Sequence, residues 1–304
     1  YSRAKMISEI AKLNNSTIGI AGTHGKTTTT SMVGNILQSL NLDPTVIVGG
    51  VVKSLESNSL LGSGDTFVVE ADEYNKSLRH LNPTIAVINN IDFEHIECYK
   101  DLNDLKDTFI QFANSVPFYG KVCLCSDFEN IKSIIKKIDK PLTTYGIENS
   151  DADIIADNIL QKNGKTTFNV IIDDQKFLVN LALPGRYNVY NALAAISVCY
   201  TMGIKAEDVC NALSSFSGVK RRFDIKSKKN VMIVDDYAHH PVEVSNVISA
   251  TKENWNKKLN VIFQPHLFSR TKKFYKDFAD ALMKADRVMI TEIFGAREKK
   301  DISI

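Results

Sequence analysis

The chain has 304 residues, of which 44% are hydrophobic and 24% charged, as in ordinary globular proteins. Its 37 lysines and arginines nearly balance 35 aspartates and glutamates, and the net charge of +2 argues against a nucleic-acid or membrane-surface partner. No apolar run approaches the ~18 residues of a transmembrane helix. The five cysteines form no CxxC pair, so we expect a reducing, cytoplasmic location rather than a disulfide framework or a zinc site.

Apolar runs alternate with helical periods from the start of the chain. The pattern predicts a helix at 1–13, then strands at 17–21, 46–48, 66–69, 84–88 and 121–125. One helix, with Met32, Ile36 and Leu40 on its apolar face, follows the first strand, and another spans 102–112. This alternation indicates an α/β fold, a mostly parallel sheet covered on both faces.

The pattern changes after residue 151. Alternating residues on either side of Asp173 and Asp174 predict a few antiparallel strands, followed by helices at 190–202 and 206–216. Residues 217–219 are a candidate linker. A second series then predicts strands at 231–234, 261–263 and 288–290 with helices at 242–255 and 274–283. We predict domains at 1–216 and 217–304, the second short enough to be truncated, within a piece of a longer protein.

A glycine-rich segment, Gly-Thr-His-Gly-Lys-Thr-Thr-Thr at 22–29, joins the first strand to the first long helix. Such a turn closes its backbone N–H groups on phosphate at a helix N-terminus. Lys26 then reaches the outer phosphates, and the Thr27 hydroxyl binds Mg²⁺. A second Gly-Lys-Thr, at 164–166, follows Asn163 between strand-like runs and predicts a hairpin turn instead.

Polar residues follow two other strands of the predicted parallel sheet. Glu70, Asp72 and Glu73 end the strand at 66–69, and His95 follows the strand at 84–88 among acidic residues. Because ligands bind at the carboxyl edge of open α/β sheets, at least one of these acids is a candidate Mg²⁺ ligand.

Two motifs further along the chain, one of amide and one of basic residues, each have two possible interpretations. Asn188 and Asn191 share one helix face, where they either cap the helix or contact a purine and its sugar. The basic run at 220–222 is either a solvated face or a hinge whose arginine closes on phosphate. Histidines follow two later strands, at 239–240 and 266.

Taken together and in this order, these motifs resemble the Mur ligase family, the ATP-dependent amide-forming enzymes of peptidoglycan synthesis. The resemblance rests on 22–30, 70–73, 188–191, 218–224, 235–241 and 263–266 with Arg270. It implies a P-loop ATP-binding central domain at 1–216 and a truncated Rossmann-like domain at 217–304. Residues 1–13 would lead in from a UDP-binding domain that this chain lacks.

The resemblance also implies an activity: ligation of L-alanine to the lactyl carboxylate of UDP-N-acetylmuramate through an acyl phosphate, releasing ADP and phosphate. A murein-tripeptide recycling ligase and a non-catalytic nucleotide-binding fragment remain alternatives.

Residue roles follow from the same resemblance. The positions expected to act in catalysis are Lys26, Glu70, His95, Asn188, Arg222 and Asp236. Those expected to bind ATP are Gly22, Thr23, His24, Gly25, Lys26, Thr27, Thr28, Asn191 and His266. Mg²⁺ would be held by Thr27, Glu70 and His95, and the other substrates by Tyr237, His239 and Arg270.

Overall fold

A computed structural model describes residues 1–94 and 98–301. The chain divides into two compact units. The first consists of Tyr1–Leu160, Thr166–Ala182 and Tyr187–Lys220, and the second of Gln161–Lys165, Leu183–Arg186 and Arg221–Ile304.

The elements up to residue 213 mix strands and helices, with two runs of consecutive strands. In chain order they are α1 (Arg3–Ala11), β1 (Ser16–Ala21), α2 (Lys26–Ser39), β2 (Thr45–Val52), β3 (Ser57–Leu60), β4 (Thr66–Glu70), a 3₁₀ segment (Tyr74–His80), β5 (Ile85–Ile88), α3 (Leu102–Asn114), β6 (Lys121–Cys125), α4 (Glu129–Ile135), β7 (Leu142–Gly146), β8 (Ile154–Lys162), β9 (Lys165–Ile172), β10 (Gln175–Leu181), α5 (Arg186–Thr201) and α6 (Ala206–Leu213).

Within the described residues, these strands form one sheet of ten in the order β10-β9-β8-β7-β6-β5-β1-β4-β2-β3. Within this sheet, each neighbouring pair in the series β8-β7-β6-β5-β1-β4-β2 is parallel. The pairs β2 with β3 and β9 with β10 are antiparallel. The predicted fold class, a mostly parallel sheet with a few antiparallel strands, is therefore confirmed.

The central strands are buried on both faces. Consecutive residues of β1, β4 and β5 are buried, as expected for parallel strands with helices on either side. Phe109 and Phe112 of α3 pack into one cluster with Phe67 of β4. Helix α2 contacts β1, β2 and β4, so it packs against the sheet directly after the segment that joins it to β1.

Most predicted elements of the first unit occur where the pattern placed them, and β6 has the predicted bounds. The strand predicted at 46–48 is too short, because β2 continues through Gly49 and Gly50 to Val52. The hairpin turn predicted at the second Gly-Lys-Thr is confirmed. Asn163 and Gly164 connect β8 to β9 with φ of 53° and 80°, the left-handed conformation of a type I′ turn.

The predicted linker at 217–219 runs beside β2. Lys53 N donates to Gly218 O at 3.1 Å, Lys220 N donates to Val51 O at 2.8 Å, and Val52 bridges to Val219. These backbone hydrogen bonds fix the segment to the first unit up to Lys220.

The second unit is built around two short strand pairs. Its elements are β11 (Asp224–Lys228), β12 (Met232–Asp235), α7 (Pro241–Asn254), β13 (Asn260–Phe263), α8 (Phe268–Leu282) and β14 (Arg287–Ile290). β11 and β12 pair antiparallel, and β13 and β14 pair in parallel. Phe263, Val244 and Phe278 form the centre of its apolar cluster. Helix α8 begins six residues before the predicted start at 274.

None of the helices in the described part of the chain is both long enough and apolar enough to cross a membrane.

Candidate active site

The segment at 22–25 is a tight turn with two positions, Gly22 and Gly25, that suit only glycine. Gly22 has a φ of 136° and Gly25 a φ of 81°, both in the region that L side chains rarely adopt. A Cβ on Gly25 would lie 2.2 Å from Asn191 Oδ1. The two glycines therefore give the backbone the close approach that a phosphate cradle needs.

Residues just after β5 anchor this turn. Asn90 accepts from the backbone of Thr23 at 3.1 Å through its carbonyl and from His24 N at 2.7 Å through Oδ1. The Thr23 hydroxyl donates to Asp92 O at 3.0 Å and accepts from Asp92 N at 2.8 Å. His24 Nε2 lies 3.2 Å from Asp92 Oδ2. In this arrangement Thr23 and His24 hold the loop to the end of β5.

Lys26, the first residue of α2, turns its ammonium group back over the loop. Its Nζ donates to Gly22 O at 2.6 Å, to Thr23 O at 3.1 Å and to Glu73 Oε1 at 2.9 Å. Burial lowers the pKa of Lys26, but nearby carboxylates, Glu73 foremost, outweigh it and hold that pKa well above its usual range. Lys26 therefore carries a permanent positive charge at the phosphate loop.

The next residue of α2 pairs with the acid that ends β4. Thr27 Oγ1 donates to the Glu70 carboxylate at 3.0 and 3.1 Å, and Gly49 N donates to Glu70 Oε2 at 2.7 Å. A hydroxyl and a carboxylate in contact are hard oxygen ligands of the kind that Mg²⁺ takes while keeping several waters. Thr28, which follows, is buried in the first turn of the helix.

The topology explains this convergence. β1 lies between β4 and β5, so its carboxyl end is flanked by the ends of both neighbours. The sheet thereby brings Glu70 to one side of the loop and Asn90 to the other. His95, the third predicted Mg²⁺ ligand, lies outside the described residues. Within 1–94 and 98–301, no group of three or more His, Cys, Asp or Glu side chains has a metal-binding arrangement.

A chain of buried hydrogen bonds supports the loop from beneath. Tyr145 OH donates to Asn89 Oδ1 at 3.2 Å, and Asn89 Nδ2 donates to Thr29 Oγ1 at 3.0 Å. Thr29 Oγ1 donates to Asn191 Oδ1 at 3.3 Å, and Asn191 Nδ2 donates to Asn188 Oδ1 at 3.2 Å. Of the two predicted asparagines, Asn191 thus lies against Gly25, and Asn188 accepts a hydrogen bond from the Asn191 side chain.

In the second unit, Asp236 fixes the turn that carries the basic run. Its carboxylate accepts from Phe223 N and from Ala238 N, each at 2.7 Å. Burial raises the pKa of Asp236 to about 6, against the opposing effects of the Phe223 N–H and the Arg222 guanidinium. Arg222 lies 3.9 Å from Glu243 and 5.5 Å from the Tyr237 ring centroid. Its charge therefore has both an acid and an aromatic face as neighbours.

The remaining predicted residues of the second unit lie close to one another. The rings of Tyr237 and His239 are 5.0 Å apart, and those of His239 and His266 are 5.7 Å apart. Arg270, only 7% exposed, places a guanidinium nitrogen 3.3 Å from His266 Nδ1. Burial, with the neighbouring His239 and Arg270, lowers the pKa of His266, which favours its neutral imidazole.

Sequence reasoning assigned no role to several residues of these networks. Glu243 accepts from the backbone of His239 at 3.1 Å and of His240 at 3.3 Å. Glu243 lies three residues after His240, the N-cap of α7, and this capping-box spacing is the sequence signal that could have identified it. Tyr145, by contrast, lies inside β7, and the sequence of that strand has no motif that would connect Tyr145 to the phosphate loop.

Comparison with known families supports the resemblance seen in the motifs. Residues 20–199 match the model described as the Mur ligase middle domain, and residues 221–303 match the one described as the Mur ligase, glutamate ligase domain. The chain therefore belongs to the Mur ligase family.

Among individual proteins, the chain is similar to enzymes named UDP-N-acetylmuramate–L-alanine ligase. It is 43% identical to that of Chlorobium phaeovibrioides over 98% of its length and 46% identical to that of Persephonella marina over 97%. It spans 64% of the length of each of these relatives. The crystal structure of UDP-N-acetylmuramate-alanine ligase MurC from Thermotoga maritima superposes with a TM-score of 0.81 at 30% identity, covering 96% of this chain and 65% of that one.

Proposed function

We propose that the protein ligates L-alanine to the lactyl carboxylate of UDP-N-acetylmuramate at the expense of ATP, a step of peptidoglycan synthesis. The observation that carries this proposal is the phosphate loop, with the Lys26 ammonium and the Thr27–Glu70 pair beside it. Identity of 43–46% to ligases bearing that name, over nearly the whole chain, supports the choice of substrates. The five cysteines are free thiols, which suits a cytoplasmic location.

The first unit supplies charge and position for phosphoryl transfer. ATP provides the phosphoryl group that makes the lactyl carboxylate an acyl phosphate, which the amine of L-alanine then attacks with loss of phosphate. Because such transfers need little covalent chemistry from protein, a fixed positive charge at Lys26 is the main requirement. Thr27 and Glu70 would hold Mg²⁺, which neutralises phosphate charge when bound; His95 is proposed as a further ligand from the family resemblance alone.

The second unit supplies groups for the other ligands. The neutral imidazole of His266 can donate and accept hydrogen bonds, as contact with adenine or ribose requires. The Arg270 guanidinium, with Tyr237 and His239 beside it, suits a carboxylate of muramate or alanine. Asp236 holds the backbone of Phe223 and so fixes the segment carrying Arg222, the arginine proposed to contact phosphate.

The test is phosphate release by the complete gene product with UDP-N-acetylmuramate and each amino acid in turn. We expect release with L-alanine. Release only with a murein tripeptide would support a recycling ligase instead. ATP binding without any amino-acid-dependent release would support a non-catalytic nucleotide-binding protein.

A pair of lysine variants tests the phosphate loop directly. Lys26→Ala removes the charge at the loop and is expected to lower phosphate release by about 100-fold or more, the effect of losing one transition-state charge partner. Lys165→Ala is the matched control, because Lys165 is the lysine of the second Gly-Lys-Thr and begins β9 directly after the hairpin turn. Equal activity in the two variants would contradict the assignment of the loop.

A further inference from the structure

Glu73 lies three residues beyond Glu70 and has no role in the reaction as proposed above. Its side chain is 1% exposed, and its two carboxylate oxygens lie 2.9 and 2.8 Å from Lys26 Nζ. Its backbone oxygen accepts from Tyr99 OH at 2.5 Å and from Lys76 N at 2.9 Å. Glu73 is therefore a fixed, buried negative charge in contact with the lysine of the phosphate loop.

The position of this carboxylate sets up a competition. A phosphate-loop lysine contacts the outer phosphates of a bound nucleotide. The same ammonium group of Lys26 already donates to Glu73 and to the carbonyl of Gly22. A phosphate must share or displace these contacts, and it also brings its negative charge close to the buried carboxylate. Both effects raise the free energy of the nucleotide-bound state.

We propose that Glu73 is a counter-charge that weakens the hold of the phosphate loop on bound phosphate and so allows the product ADP to leave. The proposal rests on the function proposed above and deepens it, since a ligase must release ADP in every cycle. Glu73 acts through Lys26 and is a positioning residue. It differs from Glu70, whose carboxylate is bound by Thr27 and Gly49.

The test compares ADP with adenosine, which lacks phosphate, in the wild-type protein and in Glu73→Gln. Glutamine keeps the size of the side chain and removes its charge. We expect ADP to bind about tenfold more tightly, with a correspondingly slower dissociation rate, the size expected when one charge-assisted contact no longer competes. Adenosine affinity should stay within about twofold of the wild type, because the charge acts on phosphate.

Two further variants make the result specific. Glu73→Asp draws the carboxylate back from Lys26, and its ADP affinity should lie between those of the wild type and Glu73→Gln. Asp104→Asn is the matched control. It breaks the ion pair of Asp104 with Lys76, at 2.7 Å in the same unit, and should leave ADP affinity unchanged.

The outcomes separate the inference from the proposed function. Failure of the wild-type protein to bind ADP at all would overturn both. If the wild type binds ADP but both Glu73 variants bind it equally or more weakly, the counter-charge is refuted while the proposed function stands. Equal tightening for ADP and adenosine would also refute it, because a structural change rather than charge would then be responsible.

Discussion

Replacing Gly25 by alanine tests whether the support beneath the phosphate loop is as close as the structure places it. Gly25 has a φ of 81°, and a Cβ there would lie 2.2 Å from Asn191 Oδ1. Gly203, which follows the end of α5, has a nearly equal φ of 78°, and in the described chain no heavy atom other than its own and those of its two chain neighbours lies within 4 Å of its Cβ position. The two glycines therefore share the backbone strain and differ in the steric contact.

The magnitudes follow from these two terms. A left-handed conformation costs alanine about 1–2 kcal/mol, and this is the whole effect expected for Gly203→Ala. Gly25→Ala carries the same cost plus that of forcing a methyl group into occupied space, about 1–3 kcal/mol. We therefore expect the free energy of unfolding to fall by about 2–5 kcal/mol in Gly25→Ala, with nucleotide binding lost as the loop shifts.

Urea denaturation followed by circular dichroism measures both variants. Adding Asn191→Ala to Gly25→Ala removes the obstructing oxygen, and the double variant should recover about 1 kcal/mol or more relative to additivity. Equal destabilisation by Gly25→Ala and Gly203→Ala, with no coupling to Asn191, would refute the close contact.

Three further predictions concern charge and buried hydrogen bonds. Because the pKa of Asp236 rises to about 6 in the folded protein, folding favours its protonated form. The free energy of unfolding should thus fall by about 2 kcal/mol as pH rises from 4 to 7, and Asp236→Asn should lack this fall in urea denaturation. Glu70→Gln should raise the Mg²⁺ concentration for half-maximal phosphate release about tenfold, measured by Mg²⁺ titration; no change would remove Glu70 from the proposed metal site. Tyr145→Phe should lower the free energy of unfolding by about 1–2 kcal/mol, since Asn89 Oδ1 loses a buried donor; an unchanged midpoint in urea would contradict that bond.

Local sequence patterns predicted most strands of the sheet, though not β3 or β7, and the loop between β1 and α2, because periodicity and glycine placement are local properties. The same patterns placed Glu70 at a strand end, and parallel pairing then brought it beside Thr27. The end of β2 was misjudged because glycines usually weaken a strand, whereas Gly49 N donates here to the Glu70 carboxylate of β4, a contact that local sequence does not show.

The rest of the site depends on contacts between distant segments. Nothing near Tyr145 in the sequence points to Asn89, and the contact of Glu73 with Lys26 requires the fold to bring β4 alongside β1. The roles of Arg222, Asp236 and His266 came from the family resemblance, and they stay predictions.

The contact of Gly25 with Asn191 beneath the loop has a consequence for the stage of synthesis at which the site can form. Gly25 and Asn191 are 166 positions apart in the sequence. At a synthesis rate of roughly 5–20 residues per second, the glycine-rich turn is synthesised about 10 to 30 s before α5, the helix that carries Asn191. Any nucleotide binding that depends on this support therefore follows the synthesis of α5.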